Sequence, residues 1–260
     1  MPLVHDRCIC LRKVEYSETS QILTLFAREH GITRVIAKGA HRRTKAGASK
    51  FDGGVDLLDV GEAVFSHDLA KDLPPLTEWG LREGHLELRR DLRGIYLGLY
   101  AAELISRLFE EHDPHPQLFD RLENIIPELA TRRREEAFLS FEVDLLRDSG
   151  YLPELFACVE CGTTMESAGG NGGYDSAYFS AALGGLICRN CETTTPDRIE
   201  IDPRLVRMVQ GVLRLPRTNG SPQRLPQLTR HQTDPINRMF VEQVQHTLGR
   251  ALRLPRYVLG

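Results

Sequence analysis

The chain has 260 residues, 41% hydrophobic and 27% charged, a globular composition that excludes disorder throughout and predicts about two domains. No stretch approaches the roughly 20 apolar residues of a membrane span, because Glu103 and Arg107 interrupt the most apolar run, and residues 1–6 carry neither a basic nor an apolar leader. A cytoplasmic protein with no membrane partner is expected. The formal net charge of −3 argues against nucleic acid only as an average: residues 34–50 hold six basic side chains and no acid, and residues 198–260 hold 11 arginines against four acids.

Residues 1–80 read as all-β. Segments 8–14, 21–28 and 32–38 are strand-like, with Gly31 marking a turn, and 55–65 and 76–79 supply two more. Five short strands with one long basic loop fit a small closed barrel such as an OB-fold. Cys8 and Cys10 alternate on the first strand and read as small hydrophobes on one sheet face.

Helical periodicity begins near Gly80. Leu97, Ala101, Leu104 and Leu108 share one helix face. Asp113-Pro114-His115-Pro116 breaks the chain, a second helix carries Leu118, Leu122 and Ile125, and Pro127 should kink or end it. A third helix carries Phe138, Phe141 and Leu145 and stops near Gly150. After a cysteine-bearing insert, Asp202-Pro203 and Asp234-Pro235 each offer an N-cap carboxylate followed by proline, so two more helices are expected to start there. The predicted fold class is α+β: an N-terminal OB-fold β-barrel (1–80), a helical domain in two parts (81–157 and 196–260) and a four-cysteine zinc ribbon (158–195) inserted between them.

The insert carries the sharpest chemical signal. Cys158-Val159-Glu160-Cys161-Gly162 and Cys188-Arg189-Asn190-Cys191 each place two thiolates in a tight turn. The intervening stretch, with strands predicted at Tyr178-Phe179-Ser180 and Leu186-Ile187, is long enough to bring all four around one Zn2+. Four cysteines leave no open coordination position, which makes the site structural.

Lys38-Gly39-Ala40-His41-Arg42-Arg43-Thr44-Lys45 follows a barrel strand, and with Arg34 and Lys50 it supplies the dense positive charge that backbone phosphates require. Phe26, Phe51, Phe65 and Trp79 are available for base stacking but read first as core. Arg204, Arg207 and Arg214 form a second basic stripe. Catalytic readings fare poorly: His85-Leu86-Glu87 lies too far from Cys158 for a zinc deaminase signature, and neither a P-loop nor a nucleophile elbow is present. A binding protein is expected, not an enzyme. The alternative is a zinc-ribbon protein-interaction adaptor with incidental DNA binding.

Three segments together resemble the bacterial RecO family of DNA repair proteins. Tyr16-Ser17-Glu18-Thr19-Ser20 leads into Leu23-Thr24-Leu25-Phe26, Gly31 and Ala37-Lys38-Gly39-Ala40 with Arg42 and Arg43. Gly150-Tyr151-Leu152-Pro153-Glu154-Leu155 then runs into Cys158 and Cys161, and Phe179-Ser180 with Gly184-Gly185-Leu186 runs into Cys188 and Cys191. The resemblance implies binding of single- and double-stranded DNA and annealing of complementary strands. It also implies cooperation with RecR, contact with single-stranded-DNA-binding protein (SSB) and, indirectly, RecA loading. By position, Lys38, Arg42 and Arg43 match the family's basic stretch, and Lys45 and Lys50 follow it.

Overall fold

The computed structural model describes residues 3–41, 50–51, 54–67, 71–165, 176–215 and 225–259. The chain divides into two compact units, the first running to Arg132 and the second beginning at Arg133.

The first unit is built on five strands: β1 (Leu3–Ser17), β2 (Ser20–Ala27), β3 (Gly31–Ala37), β4 (Val60–Ser66) and β5 (Pro75–Glu83). They form one sheet in the order β1-β2-β3-β5-β4, and β1 also pairs with β4, which closes the barrel. Every pairing is antiparallel except β3 with β5, a short parallel contact through Ile36 and Ala37. Alternation sends Cys8, Cys10, Leu23, Leu25, Val35, Ala37, Ala63, Phe65, Leu76 and Trp79 into one core. Both cysteines are fully buried, and burial pushes their thiols well above the usual range, so they pack as small inert hydrophobes. The fourth strand starts at Val60 rather than near Val55, because residues 56–59 turn, with Leu58 at φ 64° and the Asp59 amide donating to the Asp56 carbonyl.

Helices α1 (Leu92–Leu108) and α2 (Pro116–Glu128) belong to the same unit. Asp91 caps α1 by accepting from the Gly94 amide at 2.8 Å. Pro127 lies in the last turn of α2, which ends one residue later. The outward-facing Phe26 of β2 meets Phe119 of α2 at 5.6 Å between ring centroids. Beside that contact, Arg28 Nε and one terminal nitrogen each donate to Asp120 at 2.8 Å. This hydrogen bonding holds the Asp120 carboxyl below the usual carboxylate range. One end of the outer β1–β3 face, Ile9, Phe26 and Ile32, is therefore buried. Gly31 lets the α1–α2 connection approach: its φ is +69°, and a Cβ there would lie 2.3 Å from the Asp113 carbonyl oxygen.

The second unit packs α3 (Arg134–Asp148) against α4 (Pro203–Arg214) and α5 (Arg230–Leu248), with a short α6 (Pro255–Val258) against α5. Asp202 caps α4 as its sequence signals, accepting from the Arg204 amide at 2.8 Å. Asp234-Pro235 does not start a helix. The α5 N-cap is Thr229, in a capping box with Gln232, and Pro235 lies inside the helix. The early turn is held by tertiary contact, since the buried Thr233 hydroxyl donates to Glu135 of α3 at 2.8 Å. Between α3 and α4 lies a small antiparallel sheet of β6 (Ala177–Ser180), β7 (Gly185–Ile187) and β8 (Ile199–Ile201), in the order β7-β6-β8.

Candidate nucleic-acid interface and metal centre

In the second unit the two Cys-x-x-Cys turns converge. The Sγ atoms of Cys158, Cys161, Cys188 and Cys191 all lie within 4.8 Å of one another. Local hydrogen bonds build each turn: the Gly162 amide (φ +71°) donates to the Cys158 carbonyl, and the Cys191 amide donates to the Cys188 carbonyl. The Cys188 amide also points at Cys158 Sγ, 3.3 Å away. The predicted hairpin is present, Phe179 pairing with Leu186, and it delivers Cys188 directly from β7. Gln210 of α4 fixes the base of the cluster by donating to the carbonyls of Leu155 and Met165 at 2.5 and 2.9 Å.

The donor set fits a metal ion. Sulfurs bound tetrahedrally at about 2.3 Å sit roughly 3.8 Å apart, and Cys161 Sγ and Cys188 Sγ are 3.7 Å apart. The thiols also conflict in their ionisation: hydrogen bonding to Thr163 brings Cys161 down to about 6, while the hydrogen bond with Cys161 pushes Cys191 up to about 12. A divalent cation removes that conflict by accepting all four thiolates. The four cysteines can thus hold one ion and leave no position on it for a reactant.

The predicted DNA contacts lie in the first unit. Arg34 projects outward from β3, opposite Thr24 of β2, and is exposed. Lys38, just past the end of β3, is exposed, as is Lys50, whose carbonyl accepts from the Trp79 amide at 2.8 Å. Arg42, Arg43 and Lys45 fall outside the described residues. Ala40 and Phe51, on either side of that stretch, are both core residues, so the chain is anchored in the barrel before and after it. Among the described residues, no hydrogen bond or ion pair engages the side chains of Arg34, Lys38 or Lys50, in contrast to Lys13, which is tied to Asp56 at 2.8 Å.

One cation on this surface is absent from the sequence-based set. Arg12 pairs with Thr24, which pairs in turn with Arg34, so Arg12 and Arg34 flank Thr24 in one outward row across three strands. Simple alternation from Cys8 and Cys10 places Arg12 inside. A register shift between Cys10 and Arg12 turns it outward. The four aromatics considered for stacking are all buried, Phe26 and Phe65 at 0%, Trp79 at 2% and Phe51 at 4% exposure. On α4, Arg204 and Arg214 are exposed and Arg207 half-buried, and the Arg214 guanidinium already covers the Phe156 ring at 5.4 Å.

Comparison with known proteins adds a decisive observation. Models of the N-terminal and C-terminal regions of recombination protein O match residues 1–84 and 89–253. The chain belongs to the RecO family. It is 31% identical over 210 residues to the DNA repair protein RecO of Anaeromyxobacter dehalogenans, covering 79% of this chain and 78% of that one. The RecO of Rhodopirellula baltica is 34% identical over 184 residues, 70% of this chain and 65% of the relative. That of Desulfitobacterium hafniense is 27% identical over 242 residues, 92% of this chain and 78% of the relative. Among the described residues, no helix is long and apolar enough to cross a membrane.

Proposed function

We propose that this chain is a DNA recombination and repair mediator that binds single- and double-stranded DNA and anneals complementary strands without catalysis. With RecR it promotes RecA loading on SSB-coated single strands. The observation that carries the reading is the exposed, unpaired set Arg34, Lys38 and Lys50 on a five-stranded barrel, continuous in sequence with Arg42, Arg43 and Lys45. Membership of the RecO family supports it.

The mechanism is electrostatic. Two single strands repel each other, and a surface that binds phosphates of both lowers that repulsion and raises their local concentration. Lysine and arginine side chains held free of the protein's own carboxylates release counterions from DNA on contact. The cysteine cluster takes a structural Zn2+: its ligand set is closed, so the ion's work is to fold a zinc ribbon.

The test is annealing of complementary strands that have first been coated with the cognate SSB. Acceleration that needs no nucleotide is the expected result. Binding without acceleration would instead leave the adaptor reading, in which partner contact is the task.

A further inference from the structure

We infer that the open edge of β8 and the facing wall of α5 form a docking groove for a basic, extended segment of a partner protein.

β8 is an outer strand of its sheet: it pairs with β6 on one side, and among the described residues no strand pairs with the other. A groove of about 700 Å³ lies against it, bounded by Ile199, Glu200 and Ile201 of β8 and by Pro235, Arg238 and Glu242 of α5. Successive strand residues point to opposite faces of a sheet. All three β8 residues line the groove, so it meets the strand along its edge. An unpaired edge offers backbone amides and carbonyls to a further strand. The helix wall adds an acceptor, because Pro235 has no amide to donate to the His231 carbonyl one turn earlier, and both residues line the groove.

Charge complementarity selects the occupant. Glu200, Asp202, Asp234 and Glu242 line the groove, against Arg238 and His231. Two of the four carboxylates are already engaged: Asp202 accepts from the Arg204 amide, and Asp234 pairs with Arg230 at 2.8 Å. Among the described residues, Glu200 and Glu242 have neither a hydrogen bond nor an ion pair. Glu242 is half-buried, and burial lifts its carboxyl above the usual range despite the nearby Arg238. A lysine or arginine brought into the groove supplies the counter-charge that these two carboxylates lack.

The strand sets the spacing. In a segment added beside β8, alternate side chains share the face of Ile199 and Ile201, and the others share that of Glu200. The fitting segment alternates apolar residues with lysine or arginine over about four to six residues. An acidic segment would place like charge opposite Glu200 and be repelled. The groove lies wholly in the second unit and shares no residue with the DNA-contact set, so it stands apart from the DNA-binding reading.

The experiment follows the fluorescence anisotropy of labelled peptides of about six residues on the full chain. One alternates lysine with valine, and one alternates glutamate with valine. Two more repeat the lysine-valine sequence with either the lysine or the valine amides methylated, and only one of those sets faces the strand. The expected result is saturable binding of the lysine-valine peptide and at least roughly tenfold weaker binding of the glutamate form and of one methylated form. Glu200→Gln combined with Glu242→Gln keeps side-chain shape at exposed and half-buried positions, so the variant is expected to fold and to bind roughly tenfold more weakly. Equal binding of both methylated forms overturns strand addition. No binding of the lysine-valine peptide, or an unaffected double variant, overturns the docking groove and leaves Glu200 only as a guard charge on the sheet edge.

Discussion

Replacing Cys158 with serine is expected to abolish metal binding and unfold the segment that joins α3 to α4. Zinc bound by four thiolates contributes on the order of 10 kcal/mol to a unit of this size, more than its short strands can supply. The three strands β6, β7 and β8 have only three or four residues each. Cys158 is nearly fully buried, and the Cys188 amide points at its sulfur, so a serine there loses a ligand and a packing partner together. Elemental analysis should find about one zinc per chain before the change and none after it. Amide exchange at Phe179 and Leu186 should rise by several orders of magnitude. A variant that keeps its metal and its protection would show that the cluster folds without the ion.

The second large effect is expected from removing Arg12, Arg34 and Lys38 together. These side chains carry no internal partner among the described residues, so alanine at each costs the fold little. Each phosphate contact contributes about 0.7 to the salt slope on a single strand, and three contacts amount to an affinity loss on the order of 100-fold at about 0.1 M salt. Fluorescence anisotropy on oligonucleotides of several sequences should show the same loss on all of them. An unchanged affinity would move the interface elsewhere, with the arginines of α4 the next surface to alter.

The cysteine cluster was legible because its spacing encodes its geometry: two residues between thiols make a turn, and the hairpin sequence between the turns brings them together. The barrel strands were legible through alternation at Leu23, Leu25, Val35 and Ala37. What alternation does not reveal is an inserted residue. The register shift between Cys10 and Arg12 changes which face Arg12 takes without any change in composition. Pairing between residues far apart is equally hidden, as with Ile36 and Pro75, whose contact joins β3 to β5.

Helix starts failed where two signals compete. Asp234-Pro235 has the form of an N-cap, yet Thr229 and Gln232 cap earlier, and the Thr233–Glu135 hydrogen bond holds the added turn. Proline there removes one ladder bond, a cost that buried contacts to α3 offset. Helical periodicity likewise shows that α2 has an apolar face but not what meets it. The Phe26–Phe119 contact, which puts α2 with the barrel, is a tertiary fact.

If unpaired cations beside the barrel hold nucleic-acid phosphates, single-strand binding must weaken steeply as salt rises. With about six phosphates engaged, log affinity should fall against log salt with a slope near −4, a loss of roughly 300-fold between about 50 and 200 mM. A slope near zero would mean that these cations do not hold phosphates.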